Sequence, residues 1–340
     1  MSDQRSPLLE VRGLAVSFKT PAGLLRVVDG ISFDVDKGEC LAIVGESGCG
    51  KTVSAMSILG LLNRKRAVVE GSIKLEGREL VGLSENELRP IRGGKIGIIF
   101  QEPLSALNPV TTIGEQIAEV IVAHRGLKWP EAHRQAIAYL DQVEIAQADR
   151  RAGQFPHQLS GGMRQRAMIA MALAGEPQLI IADEPTTALD VTIQAQVLDL
   201  LKRTAKERGA SLMLITHDLG VVAETANRIA VMYAGQIVEY GPAAAVLRGP
   251  ASPYARDLVQ SIPSFSRRGK QLTAIAGNVP SPAEFPSGCR FHPRCQYAIK
   301  ECAEAVPALI ELGEGRGVRC IRSADLDALT ANAASKEGAK

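Results

Sequence analysis

Residues 45–52 read GESGCGKT, which fits the phosphate-loop pattern G-x-x-x-x-G-K-[ST]. The apolar run CLAIV at 40–44 precedes this stretch, and the apolar-periodic segment VSAMSILGLL at 53–62 follows it. A buried strand before the loop and a helix after it are the context in which the pattern binds a nucleotide. There the glycines let successive backbone N–H groups curl around phosphates, Lys51 reaches the β- and γ-phosphates, and the Thr52 hydroxyl ligates Mg²⁺. The predicted nucleotide-binding residues are Gly45, Glu46, Ser47, Gly48, Cys49, Gly50, Lys51 and Thr52.

An acidic pair follows a second apolar run, in LIIADEP at 179–185. The runs QLIIAD and SLMLITHD predict buried parallel strands, so Asp183 and Glu184 are expected at the carboxyl end of one of them. Asp183 could hold Mg²⁺ through water, and Glu184 could polarise an attacking water. Such a pair is usually only a solvated turn. The phosphate loop upstream favours the catalytic interpretation.

The stretch LSGGMRQR at 159–166 predicts a second anion site. Ser160 is a good helix N-cap, and Gly161 and Gly162 leave the N–H groups of the first turn uncovered. One nucleotide does not need two such sites in one chain, so this one is expected to serve a nucleotide held by another subunit. An ordinary N-cap followed by two glycines is the alternative.

Together these motifs resemble those of the nucleotide-binding subunits of ATP-binding-cassette (ABC) transporters. Six stretches occur in the family's order: GESGCGKT (Walker A), FQEP (Q-loop), LSGGM (signature), LIIADEP (Walker B), TALD (D-loop) and LITHD (H-loop). The resemblance covers about residues 8–250. It implies an α/β P-loop fold with a RecA-like core, an antiparallel β subdomain and a helical subdomain at about 103–176. Met163 stands where the commonest family signature has Gln, but the Ser and both Gly are intact.

The same resemblance implies roles for single residues. The implied catalytic residues are Glu184, His217 and Gln101, and the implied Mg²⁺ ligands are Thr52, Gln101 and Asp183. His217 would contact the γ-phosphate of ATP, and Gln101 would sense Mg²⁺ and the attacking water. Asp190 is the aspartate of the D-loop. Phe18 would stack on adenine, although an aromatic residue at a strand end often packs in a core instead.

The stretches FQEPLSALNPVTTIGEQI at 100–117 and GCRFHPRC at 288–295 resemble one branch, the ATP-binding subunits of dipeptide and oligopeptide importers. This implies a complex of two permease subunits, two ATP-binding subunits and an extracytoplasmic solute-binding protein. Nickel, glutathione or a sugar is an alternative cargo, because relatives in the branch handle these. An ABC ATPase acting on DNA or ribosomes is disfavoured, since the sequence lacks the second cassette or long coiled coils usual there.

The composition of the chain indicates its domain boundaries and its cellular location. We expect a cassette at 1–255, a C-terminal extension at 256–325, and a disordered tail at 326–340. The 39 basic and 37 acidic residues give no sign of a nucleic-acid surface. The start has no apolar signal-peptide core, and no apolar run reaches the roughly 18 residues of a membrane span. We expect a soluble, cytosolic chain that, by the resemblance, is peripheral to the cytoplasmic face of the membrane.

The extension contains four of the cysteines, Cys289, Cys295, Cys302 and Cys320. Disulfides are disfavoured in the cytosol, and flanking Gly, Pro, Arg and Lys disfavour buried core thiols. Zinc sites usually use ligand pairs roughly two to four residues apart, which are missing here, whereas a wider [4Fe–4S] cluster accepts thiolates from distant positions. We predict a [4Fe–4S] cluster, with Zn²⁺ as the alternative; members of the resembling branch are thought to hold such a cluster. The nearby Arg290, Arg294 and Arg319 could offset its negative charge.

Overall fold

The computed structural model describes residues 7–186, 191–261 and 275–326 of the 340-residue chain. Within these ranges the strands are β1 (Leu9–Thr20), β2 (Gly23–Val35), β3 (Cys40–Val44), β4 (Ala67–Leu75), β5 (Arg78–Glu79), β6 (Ile96–Ile99), β7 (Leu179–Asp183), β8 (Ser211–Thr216), β9 (Arg228–Tyr233), β10 (Gln236–Pro242), β11 (Ile310–Gly313) and β12 (Arg316–Val318).

The helices in the same ranges are α1 (Lys51–Ile58), α2 (Glu85–Leu88), α3 (Pro103–Ala106), α4 (Ile113–Arg125), α5 (Trp129–Gln142), α6 (Ala148–Ala152), α7 (Gly161–Leu173), α8 (Val191–Glu207), α9 (Leu219–Thr225), α10 (Ala243–Arg248), α11 (Pro253–Gln260) and α12 (Glu301–Glu304). Among the described residues, no helix is both long and apolar enough to cross a bilayer.

The main sheet has the strand order β11-β12-β10-β9-β3-β8-β7-β6. Its strands β9, β3, β8, β7 and β6 are parallel, and every residue of β3, β7 and β8 is buried. Neighbouring residues of β8 pack on opposite sides: Leu212 belongs to one apolar cluster and Met213 to another. A sheet covered on both faces needs continuous apolar strands. The strands predicted from CLAIV, QLIIAD and SLMLITHD are confirmed.

The register of the parallel strands determines where the functional loops begin. Val44 at the end of β3 pairs with Thr216 at the end of β8, and Asp183 at the end of β7 pairs with Ile215. The phosphate loop, Glu184 and His217 each follow one of these strand ends. Parallel strands therefore place the three motifs at one edge of the sheet, where ligands bind in open α/β folds.

A second, antiparallel sheet has the order β2-β1-β4-β5. The turn between β4 and β5 is Glu76–Gly77, with positive φ at both residues (49° and 78°). Ser84 and Glu87 form a capping box at the start of α2. The implied antiparallel subdomain is therefore present.

Helices α3 to α7 form a helical segment between β6 and β7. The buried faces of α4, α5 and α7 share one apolar cluster with the side of the main sheet that includes Leu212. Thr112 caps α4 with a capping box, and Gly126 ends it in the left-handed conformation (φ 68°). This segment agrees in position with the implied helical subdomain.

The extension is attached to the main sheet rather than appended beside it. Strand β12 pairs with β10, with Glu239 opposite Val318. The ring of Phe291 packs 5.2 Å from those of Tyr233 and Tyr254. The extension thus shares a core with the cassette, and the domain boundary at residue 255 stays a prediction.

Candidate functional site

The phosphate loop runs from the end of β3 to the start of α1. A Cβ on Gly45 would lie 2.1 Å from the Met232 carbonyl oxygen, so only glycine fits there. Gly50, in the left-handed conformation with φ 105°, precedes α1 without a side-chain cap. The Cys49 carbonyl accepts a hydrogen bond from Gly235 N–H at 2.8 Å. The loop is therefore held by β9 and its turn while the first N–H groups of α1 are free of side-chain caps, which suits an anion.

Lys51 lies under this loop, with only 5% of its surface exposed. Its Nζ donates to the carbonyl oxygens of Gly45 (2.8 Å) and Glu46 (3.1 Å). The same Nζ lies 3.9 Å from Oε1 of Glu184. The ammonium group is thus positioned between the phosphate loop and the acidic pair.

Side chains from three other motifs lie close to the carboxylate of Glu184. Gln101 Nε2 donates to its Oε2 at 3.2 Å, and His217 Nδ1 lies 3.5 Å from the same oxygen. Glu184 has a positive φ of 45°, a conformation that non-glycine residues adopt at an energetic cost and that is concentrated at functional sites. Its N–H donates to the Ile215 carbonyl of β8. The structure therefore brings together the three predicted catalytic residues and the predicted phosphate-binding lysine.

Asp183 lies beside them and is 1% exposed. Burial raises the pKa of this carboxyl above its ordinary value, whereas a hydrogen bond from the Thr52 side chain opposes that rise. Its Oδ1 is buried and has no hydrogen-bond partner in the described part of the chain. An uncompensated buried carboxylate oxygen is costly unless a cation or donor reaches it. Asp183 and Thr52 thus fit a Mg²⁺ ion at this position.

The signature residues lie at the start of α7. Ser160 Oγ accepts from Met163 N–H at 3.3 Å, so the predicted N-cap is present. A Cβ on Gly162 would lie 3.3 Å from Cγ2 of Ile193, so this glycine also allows close packing against α8, which the sequence did not indicate. Asp190 of the D-loop lies outside the described residues.

Phe18 lies near the end of β1 and is half-buried. It packs against the apolar cluster of the antiparallel sheet and pairs with Ala67 of β4. This placement accommodates a core role, and stacking on adenine stays a prediction.

The four cysteines of the extension line one small cavity of about 30 Å³. Burial raises the pKa of Cys295 to about 12 and that of Cys320 to about 11. In the described ranges, however, no three His, Cys, Asp or Glu side chains lie close enough together to hold a metal ion. The four thiols therefore share one cavity, but they form no preformed coordination sphere, and the metal site stays a prediction.

The three arginines expected to offset a cluster's charge contact other groups. Arg290 pairs with Asp29 at 2.6 Å, and Arg319 donates to the backbone carbonyls of Ile237 and Pro307. Arg294 pairs with Glu46 in the phosphate loop at 2.8 Å. This last contact was missed, because nothing local to either residue indicates a partner 248 positions away.

Comparison with known proteins identifies the family to which the chain belongs. The ABC transporter family matches residues 28–187, and the oligopeptide/dipeptide transporter C-terminal region matches residues 238–302. A putative peptide import ATP-binding protein of Brucella ovis is 50% identical over 330 residues, which cover 94% of this chain and 98% of that protein. The oligopeptide transport ATP-binding protein AppD of Bacillus subtilis is 48% identical, over 93% of this chain and 96% of AppD. The chain belongs to the ATP-binding proteins of peptide-import ABC transporters.

Solved structures agree with this family at the level of the cassette. The dimeric ATP-binding cassette MJ0796 bound to ADP and Pi is 30% identical, with a TM-score of 0.62, and the match covers 69% of this chain and 98% of MJ0796. The protein cbiO1 of Clostridium perfringens, part of the ABC transporter complex cbiONQ, is 26% identical with a TM-score of 0.60, over 71% and 91% of the two chains. The peptide-import ATP-binding protein described here is thus an ABC-type ATPase with the cassette fold.

Proposed function

We propose that this ATPase powers the import of dipeptides or oligopeptides through a separate permease, with Glu184 as its catalytic base. The observation that carries the proposal is the convergence of Lys51, Gln101 and His217 on Glu184, at the strand edge next to the phosphate loop. These residues come from four separate motifs. Their proximity supports one hydrolytic site rather than four unrelated structural roles.

Each residue has a role that follows from its position. The glycine-rich loop binds the phosphates through its N–H groups, and Lys51 turns from the loop carbonyls to the β- and γ-phosphates. The Glu184 carboxylate accepts a hydrogen bond from the attacking water and so makes its oxygen a better nucleophile. Gln101 orients that water, and His217 donates to the γ-phosphate. Bound Mg²⁺, held by Thr52, Gln101 and Asp183, would offset the negative charge of the phosphates.

The complete ATP site needs a second ATP-binding subunit. Ser160, Gly161 and Gly162 are proposed to contact ATP held by that partner. The dimer seen in MJ0796 supports this arrangement. Ser160→Arg should leave ATP affinity at the chain's own phosphate loop unchanged and abolish hydrolysis at the partner's site in the assembled complex. Ala146→Arg, at an exposed position outside the motifs, is the matched control and should preserve both.

The transporter would also contain two permease subunits and, through them, an extracytoplasmic solute-binding protein. This places the ATPase at the cytoplasmic face of the membrane, with no nucleic-acid partner. Reconstitution with its permease and solute-binding protein should give ATP-dependent uptake of a labelled peptide mixture into vesicles. Uptake of nickel, glutathione or an oligosaccharide without peptide uptake would favour the alternative cargo, and co-purification with ribosomes or DNA instead of a permease would refute a transport role.

The extension is proposed to hold a [4Fe–4S] cluster on its four cysteines. Zinc sites usually take their cysteines in pairs about two to four residues apart, and the four cysteines of the extension contain no such pair. A cluster takes one thiolate at each iron corner, so its ligands can come from widely spaced positions, and all four cysteines line the same cavity. When bound it would supply bonds that cross-link the extension, a small unit that otherwise depends on the cassette for its core.

Anaerobic purification tests the cluster directly. Wild-type protein should absorb broadly near about 400 nm and contain iron. Cys295→Ala should lose that absorption, whereas Cys40→Ala, which removes a buried thiol of β3 outside the cavity, should keep it. Colourless wild-type protein with zinc would favour the alternative metal, and folded protein without metal would rule out both.

A further inference from the structure

Glu46 of the phosphate loop has all of its polar groups engaged. Its N–H donates to the hydroxyl of Tyr254 at 3.0 Å, and its carbonyl oxygen accepts from Lys51 Nζ at 3.1 Å. Its carboxylate accepts two bonds from Arg294, at 2.8 and 3.0 Å. Two of these three partners, Tyr254 and Arg294, lie beyond the six ATP-binding motifs.

The side chain of Arg294 is held in place by burial and by hydrogen bonds to the backbone. Its side chain is only 6% exposed, and the guanidinium also donates to the backbone carbonyls of Ala276 and Gly277. A bidentate arginine–carboxylate pair fixes orientation as well as distance. Because Arg294 is nearly buried and the Glu46 side chain is 29% exposed, solvent screens this pair less than a fully exposed salt bridge.

Tyr254 approaches Glu46 from α11. Its ring is 1% exposed and packs against Tyr233 and Phe291, with ring centroids 4.6 and 5.2 Å away. Phe291 lies three residues before Arg294, so the two contacts to Glu46 belong to one packed unit.

We propose that Arg294 and Tyr254 are positioning residues, through which the extension holds the phosphate loop ready for ATP. The inference rests on the proposed ATPase function. The Glu46 carbonyl is one of the two oxygens on which Lys51 rests, so fixing Glu46 also fixes the ammonium group before the phosphates arrive. Binding to a loop that is already ordered avoids the entropic cost of ordering it, which increases affinity.

The test compares matched arginine variants in the full chain. Arg294→Gln should raise the Kd for MgATP by about fivefold or more, with kcat at saturating ATP within twofold of wild type in the assembled transporter. Arg316→Gln is the control, because Arg316 also joins the extension to a buried cassette glutamate, Glu239 at 3.3 Å, but that residue is outside the phosphate loop. The control should bind MgATP like wild type even if its melting temperature falls.

Two further variants separate positioning from stability. Tyr254→Phe keeps the ring and removes only the acceptor for Glu46 N–H, so it should also raise the Kd; it serves if Arg294→Gln does not fold. In a Glu46→Gln background, Arg294→Gln should have little further effect, since the pair is already broken.

Equal MgATP affinity in Arg294→Gln, Arg316→Gln and wild type would overturn the proposal, as would the same loss of affinity in both arginine variants. Failure of the ATPase function looks different. In that case the wild-type chain itself would hydrolyse no MgATP in the assembled transporter, whatever the affinities of the arginine variants.

Discussion

Replacing Gly45 by Ala tests how closely the phosphate loop is packed. The added methyl carbon would lie 2.1 Å from the Met232 carbonyl oxygen and 2.9 Å from Cys49 Sγ, whereas real Cβ contacts below 3.0 Å essentially do not occur. The loop or strand β9 must therefore move by about 0.9 Å, and a shift of about 1 Å at a reacting group can cost about 100-fold in rate. Overpacking of this kind also destabilises the packed conformation by about 1–3 kcal/mol. Because ATP binds to that conformation of the loop, we expect ATP affinity to fall about tenfold or more.

Equilibrium MgATP binding and steady-state hydrolysis would measure the effect. Gly38→Ala is the control, because Gly38 also has a positive φ (73°) but a Cβ there would meet nothing within 4 Å. Gly38→Ala should lower stability by about 1 kcal/mol through backbone strain and leave ATP binding unchanged. If Gly45→Ala bound ATP as tightly as Gly38→Ala, the close approach to Met232 would not govern the loop, and the reasoning would be refuted.

Three further predictions address the site and its surroundings. Lys51→Ala should abolish measurable MgATP binding, since its ammonium group is the buried cation of the loop; retained affinity would contradict its role. His217→Ala should lower kcat about 100-fold with little change in ATP affinity, and an unchanged kcat would remove it from the mechanism. Burial raises the pKa of Asp257 to about 6, so the folded state loses stability as the pH rises through that value. At pH 8, Asp257→Asn should therefore have a free energy of unfolding higher than that of wild type by on the order of 2 kcal/mol, and a higher melting temperature. The difference from wild type should disappear near pH 4. An equal difference at both pH values would show that ionisation of Asp257 does not destabilise the folded state.

The site residues that could be predicted are those whose role is indicated by the residues next to them in the sequence. Lys51 follows a glycine pattern of fixed spacing, and Glu184 follows an apolar run that predicts a buried strand. Gln101 and His217 have no such local pattern, and their roles depended on the resemblance. Their convergence on Glu184 follows from the parallel register of β3, β7 and β8, which the sequence indicates only through its apolar runs.

The attachment of the extension could not be predicted in the same way. Strand β12 is three residues long, and β11 is fully exposed, so neither carries a periodic apolar signal. The sequence associates Arg294 with the neighbouring thiols, because Cys295 is the next residue. Its carboxylate partner, Glu46, is brought to it only by the packing of Phe291 between Tyr233 and Tyr254.

Glu184→Gln tests the central claim most directly, in the complete transporter with MgATP. The amide keeps the size of the side chain but cannot act as a base. The account predicts MgATP affinity within about twofold of wild type and a fall in steady-state hydrolysis of at least about 100-fold. Hydrolysis near the wild-type rate in Glu184→Gln would contradict the assignment of Glu184 as the catalytic base, and with it the proposed mechanism.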